Sequence, residues 1–157
     1  MRTISKRTQY GLKAMQILAR RYREGPVMIG SIAREESIPL KFLEAILLDL
    51  KSHGLLESKL GRKGGYRLSR PPSSVTLGSI IRMMEGPLAP IPCASETAYR
   101  PCAECKDVEG CGTRIIMREV RDAISDVLDR TTLADLLRKA ESAHSAAESA
   151  ASTQYDI

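Results

Sequence analysis

The 157-residue chain has no tryptophan and a single phenylalanine, Phe42, so its interior must be built from Leu, Ile, Met and Ala, a palette that favours helices. No apolar run approaches the roughly 20 residues of a membrane span. The first residues, Met1-Arg2-Thr3-Ile4-Ser5-Lys6-Arg7, lack the apolar stretch of a secretory signal. Both absences predict a cytoplasmic location. Histidine is scarce too: neither His53 nor His144 has a partner constellation for nucleophilic or acid–base work, which argues against an enzyme. Cysteine is missing everywhere except one stretch, where Cys93, Cys102, Cys105 and Cys111 fall within nineteen residues. In a reducing compartment clustered thiols are more often ligands or sensors than disulfide partners. The Cys102-x2-Cys105 pair lacks the βαβ context of a disulfide oxidoreductase.

What is present is unevenly distributed. Residues 1–71 carry 15 Lys/Arg against 6 Asp/Glu, a net +9, whereas residues 72–157 carry 9 against 13, a net −4. A basic half beside an acidic one is the footprint of a segment that meets a phosphate backbone.

Apolar periodicity predicts a first helix from about Thr8 to Arg23, with Gly11, Ala14, Met15, Leu18 and Tyr22 on one face and Gly25-Pro26 as the stop. A short second helix fits Ile29 to Glu36, and Ser37-Ile38 makes a turn. Pro39 opens a third helix with Phe42, Leu43, Ile46, Leu47 and Leu50 as its buried stripe. A β-ribbon follows, with arms Leu55–Lys59 and Tyr66–Leu68 and the tip Gly61-Arg62-Lys63-Gly64-Gly65. Three helices and a basic hairpin define a winged helix-turn-helix, spanning 1–72. A connecting helix capped by Thr76 occupies 73–86. Residues 87–110 hold four prolines, three cysteines and no periodicity, a loop long enough to imply a function or an organising ligand. The long helix from Cys111 to Arg130 carries a seam of Ile116, Val120, Ile124 and Val127 that suits a two-fold dimer. A last helix restarts at Thr131 or Thr132, so 111–139 reads as the dimerisation unit. The Ala/Ser-rich tail 140–157 is expected to fray. The predicted fold class is mainly α: a winged helix-turn-helix domain with a small β-ribbon wing and a long C-terminal dimerisation helix.

The third helix would enter the major groove of double-stranded DNA with Leu40, Lys41, Glu44 and Ala45, the positions off its buried stripe. Lys41 suits phosphate or guanine, and Glu44 suits cytosine N4; an i,i+3 pair between Lys41 and Glu44 is the structural alternative. In the wing, Arg62 and Lys63 suit the minor groove or the backbone, and Gly64 and Tyr66 of the same string are candidate DNA-binding residues with them. Arg2, Lys6 and Arg7 are secondary phosphate contacts.

The cysteine spacing is Cys93-x8-Cys102-x2-Cys105-x5-Cys111. Four thiolates suit a structural zinc ion; three or four suit an iron–sulfur cluster wrapped by the proline-rich loop; two suffice for a metal-free switch. Spacing alone leaves the three open.

Several strings carry a family resemblance: Tyr10-Gly11-Leu12-Lys13-Ala14, Ile32-Ala33, Pro39-Leu40-Lys41-Phe42-Leu43-Glu44, Gly61-Arg62-Lys63-Gly64-Gly65-Tyr66-Arg67-Leu68 and Thr132-Leu133-Ala134-Asp135. Through them the chain, from Met1 to about Lys139, resembles the Rrf2 family of bacterial winged-helix transcriptional regulators. The resemblance implies a homodimer on a palindromic operator and a [2Fe–2S] or [4Fe–4S] cluster. It matches Cys105 and Cys111 to the last two ligands and Cys93 to the first. Cluster-binding members add a weaker fourth ligand, a histidine after the last cysteine or an acid in the first helix. Here Gly112-Thr113-Arg114 follow Cys111, and Gln9 precedes Tyr10, so neither is present. Cys102 is an extra thiol that supplies a fourth ligand or replaces Cys93. An all-cysteine set would be less labile and keeps zinc in contention. A cysteine-metabolism branch of the family implies the alternative, a thiol- or metabolite-responsive regulator that works with a protein partner and has no cluster.

Overall fold

The computed structural model describes residues 4–153, so Arg2 and the last four residues of the tail fall outside it. Helix α1 spans Lys6–Arg20 and starts two residues earlier than the periodicity predicts, because Ser5 caps it by accepting the Thr8 N–H at 3.2 Å. Helix α2 is Ile29–Glu35 and α3 is Leu40–Ser52, joined by a turn in which Ser37 takes a left-handed φ of 52°. Strands β1 (Leu56–Lys59) and β2 (Gly65–Leu68) pair antiparallel, Leu56 opposite Leu68. A 3-10 turn at Pro72–Ser74 leads into α4 (Leu77–Glu85), capped by Thr76 as predicted. After the cysteine segment, with its own short 3-10 turn at Pro92–Ala94, come α5 (Gly112–Arg130) and α6 (Leu133–Thr153).

One core holds the helices and the wing together. Met15, Ile17 and Leu18 of α1, Ile32 of α2, Leu43, Ile46, Leu47 and Leu50 of α3 and Ile80 of α4 are all essentially inaccessible. Each such side chain contributes roughly 1.5–3 kcal/mol by leaving water. Phe42 does not belong to this stripe. It sits about a quarter turn from the stripe's midline at 3.6 residues per turn. Its ring is 46% exposed and meets Tyr10 edge-on, centroids 5.9 Å apart.

The C-terminal part is fastened back onto this body. Thr132 and Asp135 form a capping box at the start of α6: the Asp135 carboxylate accepts the Thr132 N–H at 3.0 Å, and Thr132 Oγ1 accepts the Asp135 N–H at 3.1 Å. Leu133, fully buried, joins the main core, and its N–H donates to the Val75 carbonyl at 2.9 Å. Helix α6 then runs past Ala140, where fraying was expected, to Thr153. Alanine, the strongest helix former, is frequent in that stretch, and residues 140–147 carry the helix on while exposed.

Candidate functional site

Because α3 buries positions 43, 46, 47 and 50, its other face is left to solvent. Leu40, Lys41, Glu44, Ala45 and Leu48 are all exposed there. Pro39 precedes the helix and offers no side-chain cap; its carbonyl accepts the Phe42 and Leu43 N–H groups at 3.0 Å, and the N–H groups of Leu40 and Lys41 receive no cap from it. Among the described residues no ion pair joins Lys41 to Glu44, which leaves both side chains available. Arg7 differs: its guanidinium is held by Asp49 of α3 at 2.7 Å, which ties α1 to α3.

The wing exposes Arg62 and Lys63 to solvent. The next residues serve its root. Gly64 is buried, and a Cβ there would collide with the Lys59 carbonyl. Gly65 has φ 141° and passes so close to the Val27 carbonyl that only glycine fits. Tyr66 exchanges two backbone hydrogen bonds with Val27, at 2.8 and 2.9 Å, and its half-buried side chain packs on the core. The two basic side chains at the tip are thus carried on a rigidly rooted ribbon.

The four cysteines lie across the molecule's second region. Their thiols are free, with Cys102 exposed and the others half-buried. All four line one cavity of about 300 Å³, shared with Tyr99, Glu104 and Arg114. Within it Cys105 neighbours Cys111 and Cys102, and its Sγ lies 3.3 Å from the Asp107 carbonyl. Desolvation first, and then Cys111, push the Cys105 thiol above its ordinary pKa. Among the described residues no three His, Cys, Asp or Glu side chains converge on a single ion position. The cavity gathers the donors without closing them into a coordination shell.

Two arginines of α5, not singled out by any sequence pattern, hold this segment. Arg114 donates from Nε to the Cys93 carbonyl at 3.1 Å and from Nη1 to that of Val108 at 3.4 Å, with its guanidinium 6.0 Å from the Tyr99 ring centre. Arg121 is the buried residue of α5: it donates to the Ala94 carbonyl at 2.6 Å and pairs with Glu96 at 3.0 Å and Asp122 at 2.5 Å. Their separation of seven residues puts them two turns apart on one helix face, but nothing in the sequence marks what that face meets.

The exposed face of α3, the basic wing and the cysteine-lined cavity lie on a chain whose sequence and fold are shared with known proteins. The sequence model of the Rrf2 family, described as an iron-dependent transcriptional regulator, matches residues 4–139. The chain belongs to the Rrf2 family. An rrf2-like HTH-type transcriptional regulator of Rhodobacter capsulatus is 39% identical over 137 residues, 85% of this chain and 91% of that one. CymR of Bacillus subtilis is 37% identical over 133 residues, 85% of this chain and 88% of that one. The solved structure of that protein, described as a global cysteine regulator, superposes with a TM-score of 0.74, covering 88% of this chain and 98% of its own. The structure of IscR from T. potens superposes with a TM-score of 0.70 at 33% identity, covering 90% of each chain. This Rrf2 protein is a mainly helical winged-helix transcriptional regulator, not an enzyme. Among the described residues no helix is long and apolar enough to cross a membrane.

Proposed function

We propose that this Rrf2 regulator is a cytoplasmic homodimer that binds a palindromic operator and senses redox, iron or iron–sulfur status, or nitric oxide, through its four cysteines. The observation that carries the sensor is the single cavity lined by Cys93, Cys102, Cys105 and Cys111. Soft thiol donors on one cavity fit an iron–sulfur cluster in the chemistry of the set. Cys93, Cys105 and Cys111 would hold it, with Cys102 as fourth ligand. A cluster there would supply an oxidisable centre that oxygen or nitric oxide degrades. The protein's own part is to keep the segment on α5 through Arg114 and Arg121 and to limit solvent access to the half-buried thiols.

DNA binding is assigned to Leu40, Lys41, Glu44 and Ala45 of α3 and to Arg62 and Lys63 of the wing, with Gly64 and Tyr66 supporting the wing's root. The exposed α3 face and the tip cations, unpaired among the described residues, support this assignment. Dimerisation through α5 is supported by the exposure of Ile115 (45%), Ile116 (51%) and Val127 (65%) along a helix that buries no apolar side chain of its own. Two heads on one α5 pair suit two half-sites about one helical turn apart or a multiple of it.

The second reading, a metal-free thiol switch, is favoured by the closeness of Cys105 to both Cys102 and Cys111 and by the likeness to CymR. Anaerobic purification with iron, sulfide and zinc analysis separates the readings. Iron with acid-labile sulfide and visible absorption, lost when Cys93, Cys105 and Cys111 are replaced by Ser, supports the cluster. Zinc at about one per chain would make the cysteines structural. Neither metal, even after anaerobic reconstitution, would leave the thiol switch.

A further inference from the structure

Helix α5 is fastened at its two ends to two different things. Its C-terminal end is tied to the DNA-binding body. Asp129 pairs with Arg82 of α4 through two bonds, at 2.5 and 2.8 Å, and the Leu77 N–H donates to the Thr131 carbonyl at 2.9 Å. The approach is close enough that a Cβ on Gly78 would collide with Asp129. Its N-terminal half is tied to the cysteine segment instead, through Arg114 on Cys93 and Val108 and through Arg121 on Ala94 and Glu96.

We infer that Arg114 and Arg121 are positioning residues that make the conformation of the cysteine segment and the placement of α5's N-terminal half a single equilibrium. The inference rests on reading the cysteines as the sensor. The acceptors are the carbonyls of Cys93 itself and of the next residue, Ala94, so any change at Cys93 that rotates its backbone misaligns bonds to both arginines. Hydrogen bonds weaken steeply off-line. The Arg121 side chain is only 9% exposed, so a lost acceptor leaves a buried charge short of a partner. Relief comes when α5 shifts and lets water in. The segment and the helix therefore move together, and the helix carries the movement toward its tie at Asp129. Lysine cannot reproduce this arrangement: Arg121 reaches Ala94 with one nitrogen and its carboxylate partners with others, whereas lysine offers one point charge.

The test uses full-length Arg121→Lys, Arg114→Lys and Glu96→Gln proteins, each checked for wild-type melting and oligomeric state. Glu96 is 73% exposed, so Glu96→Gln and Arg114→Lys keep the test alive should Arg121→Lys fail to fold. Amide exchange is followed in residues 92–96 and 112–121. Operator affinity is compared between reduced protein and protein oxidised with hydroperoxide or reconstituted with iron and sulfide. In the arginine variants both segments should exchange about tenfold faster together, and the affinity ratio between the two states should fall toward one. Unchanged exchange, faster exchange in 92–96 alone, or a wild-type affinity ratio in variants whose exchange has risen would each overturn the inference. Wild-type protein with a ratio of one would instead sink the sensor reading, and the exchange data would still decide the clamp.

Discussion

The body and the cysteine region are held together by different forces. From α1 to α4 the structure is a continuous apolar core, closed by Leu133 after the chain returns. Between Gly86 and Arg130 the buried residues are Ala94, Ser95 and Arg121: two small side chains and one charge. Burial is non-directional and survives small movements, so the body moves as a unit. Polar pins are directional and are lost over fractions of an ångström, so the second region suits an element with two arrangements. Rigidity lies in the body proposed to read DNA, and adjustability lies in the segment proposed to sense.

The largest effect should come from the core itself. Leu47→Ala should lower unfolding free energy by about 2–5 kcal/mol in urea titrations. Ile116→Ala, on half-exposed α5, should leave the monomer's stability within about 0.5 kcal/mol and weaken dimerisation in sedimentation experiments. Equal losses of monomer stability would break the distinction between the regions. Next comes the wing, a rigid root with a solvated tip. Arg62→Ala with Lys63→Ala should reduce DNA affinity at every sequence and lower the slope of log K against log salt by about 0.9 for each phosphate left without its cation. Melting should not change. An unaltered slope would take the wing out of the interface.

The body was legible in the sequence because its signals are local and apolar. Heptad-like spacing gave α1 and α3, Pro39 gave the start of α3, and the glycine string gave the wing. Phe42 departs from its expected place because helical periodicity defines a face but not its edges. The cysteines were visible as a cluster, and the cavity that unites them needed the fold, since Cys93 is separated from Cys111 by a segment with no periodic pattern. Arg114 and Arg121 were invisible for another reason. Their acceptors are main-chain carbonyls, which every residue possesses, so no composition or spacing in the loop announces them. The Thr132-Leu133-Ala134-Asp135 string was recognisable as a family ending, and its physics appeared only with the fold: a cap at each end of the string around a core leucine.

That string is the joint between the two regions, and it gives a smaller test. Thr132→Ala removes the cap of α6 and should cost about 1 kcal/mol, the usual penalty for losing a threonine cap. Because Leu133 rides on the same turn, exchange of the α1 amides facing α6 should rise with it. A loss confined to α6, with α1 still protected, would mean that the helix frays without loosening the body.

The smallest effect concerns the pin between α4 and α5. Hydrogen bonding from Arg82 holds the Asp129 carboxyl below the ordinary carboxylate range, and Thr132 does the same for Asp135. A depressed folded-state pKa contributes stability above the unfolded value, near pH 4, and loses it as pH falls through the folded value. Stability should therefore be flat through neutral pH and decline on the acid side of about pH 4. The pair is about two-fifths exposed, with Arg82 38% and Asp129 45% accessible, so solvent and salt screen it to less than about 1 kcal/mol. Asp129→Asn should remove part of the acid decline and leave the neutral plateau only slightly lower, an effect that high salt should mimic. A variant that loses stability at acid pH just as the wild type does would shift the fastening of α5 from the ion pair to the backbone bond between Leu77 and Thr131.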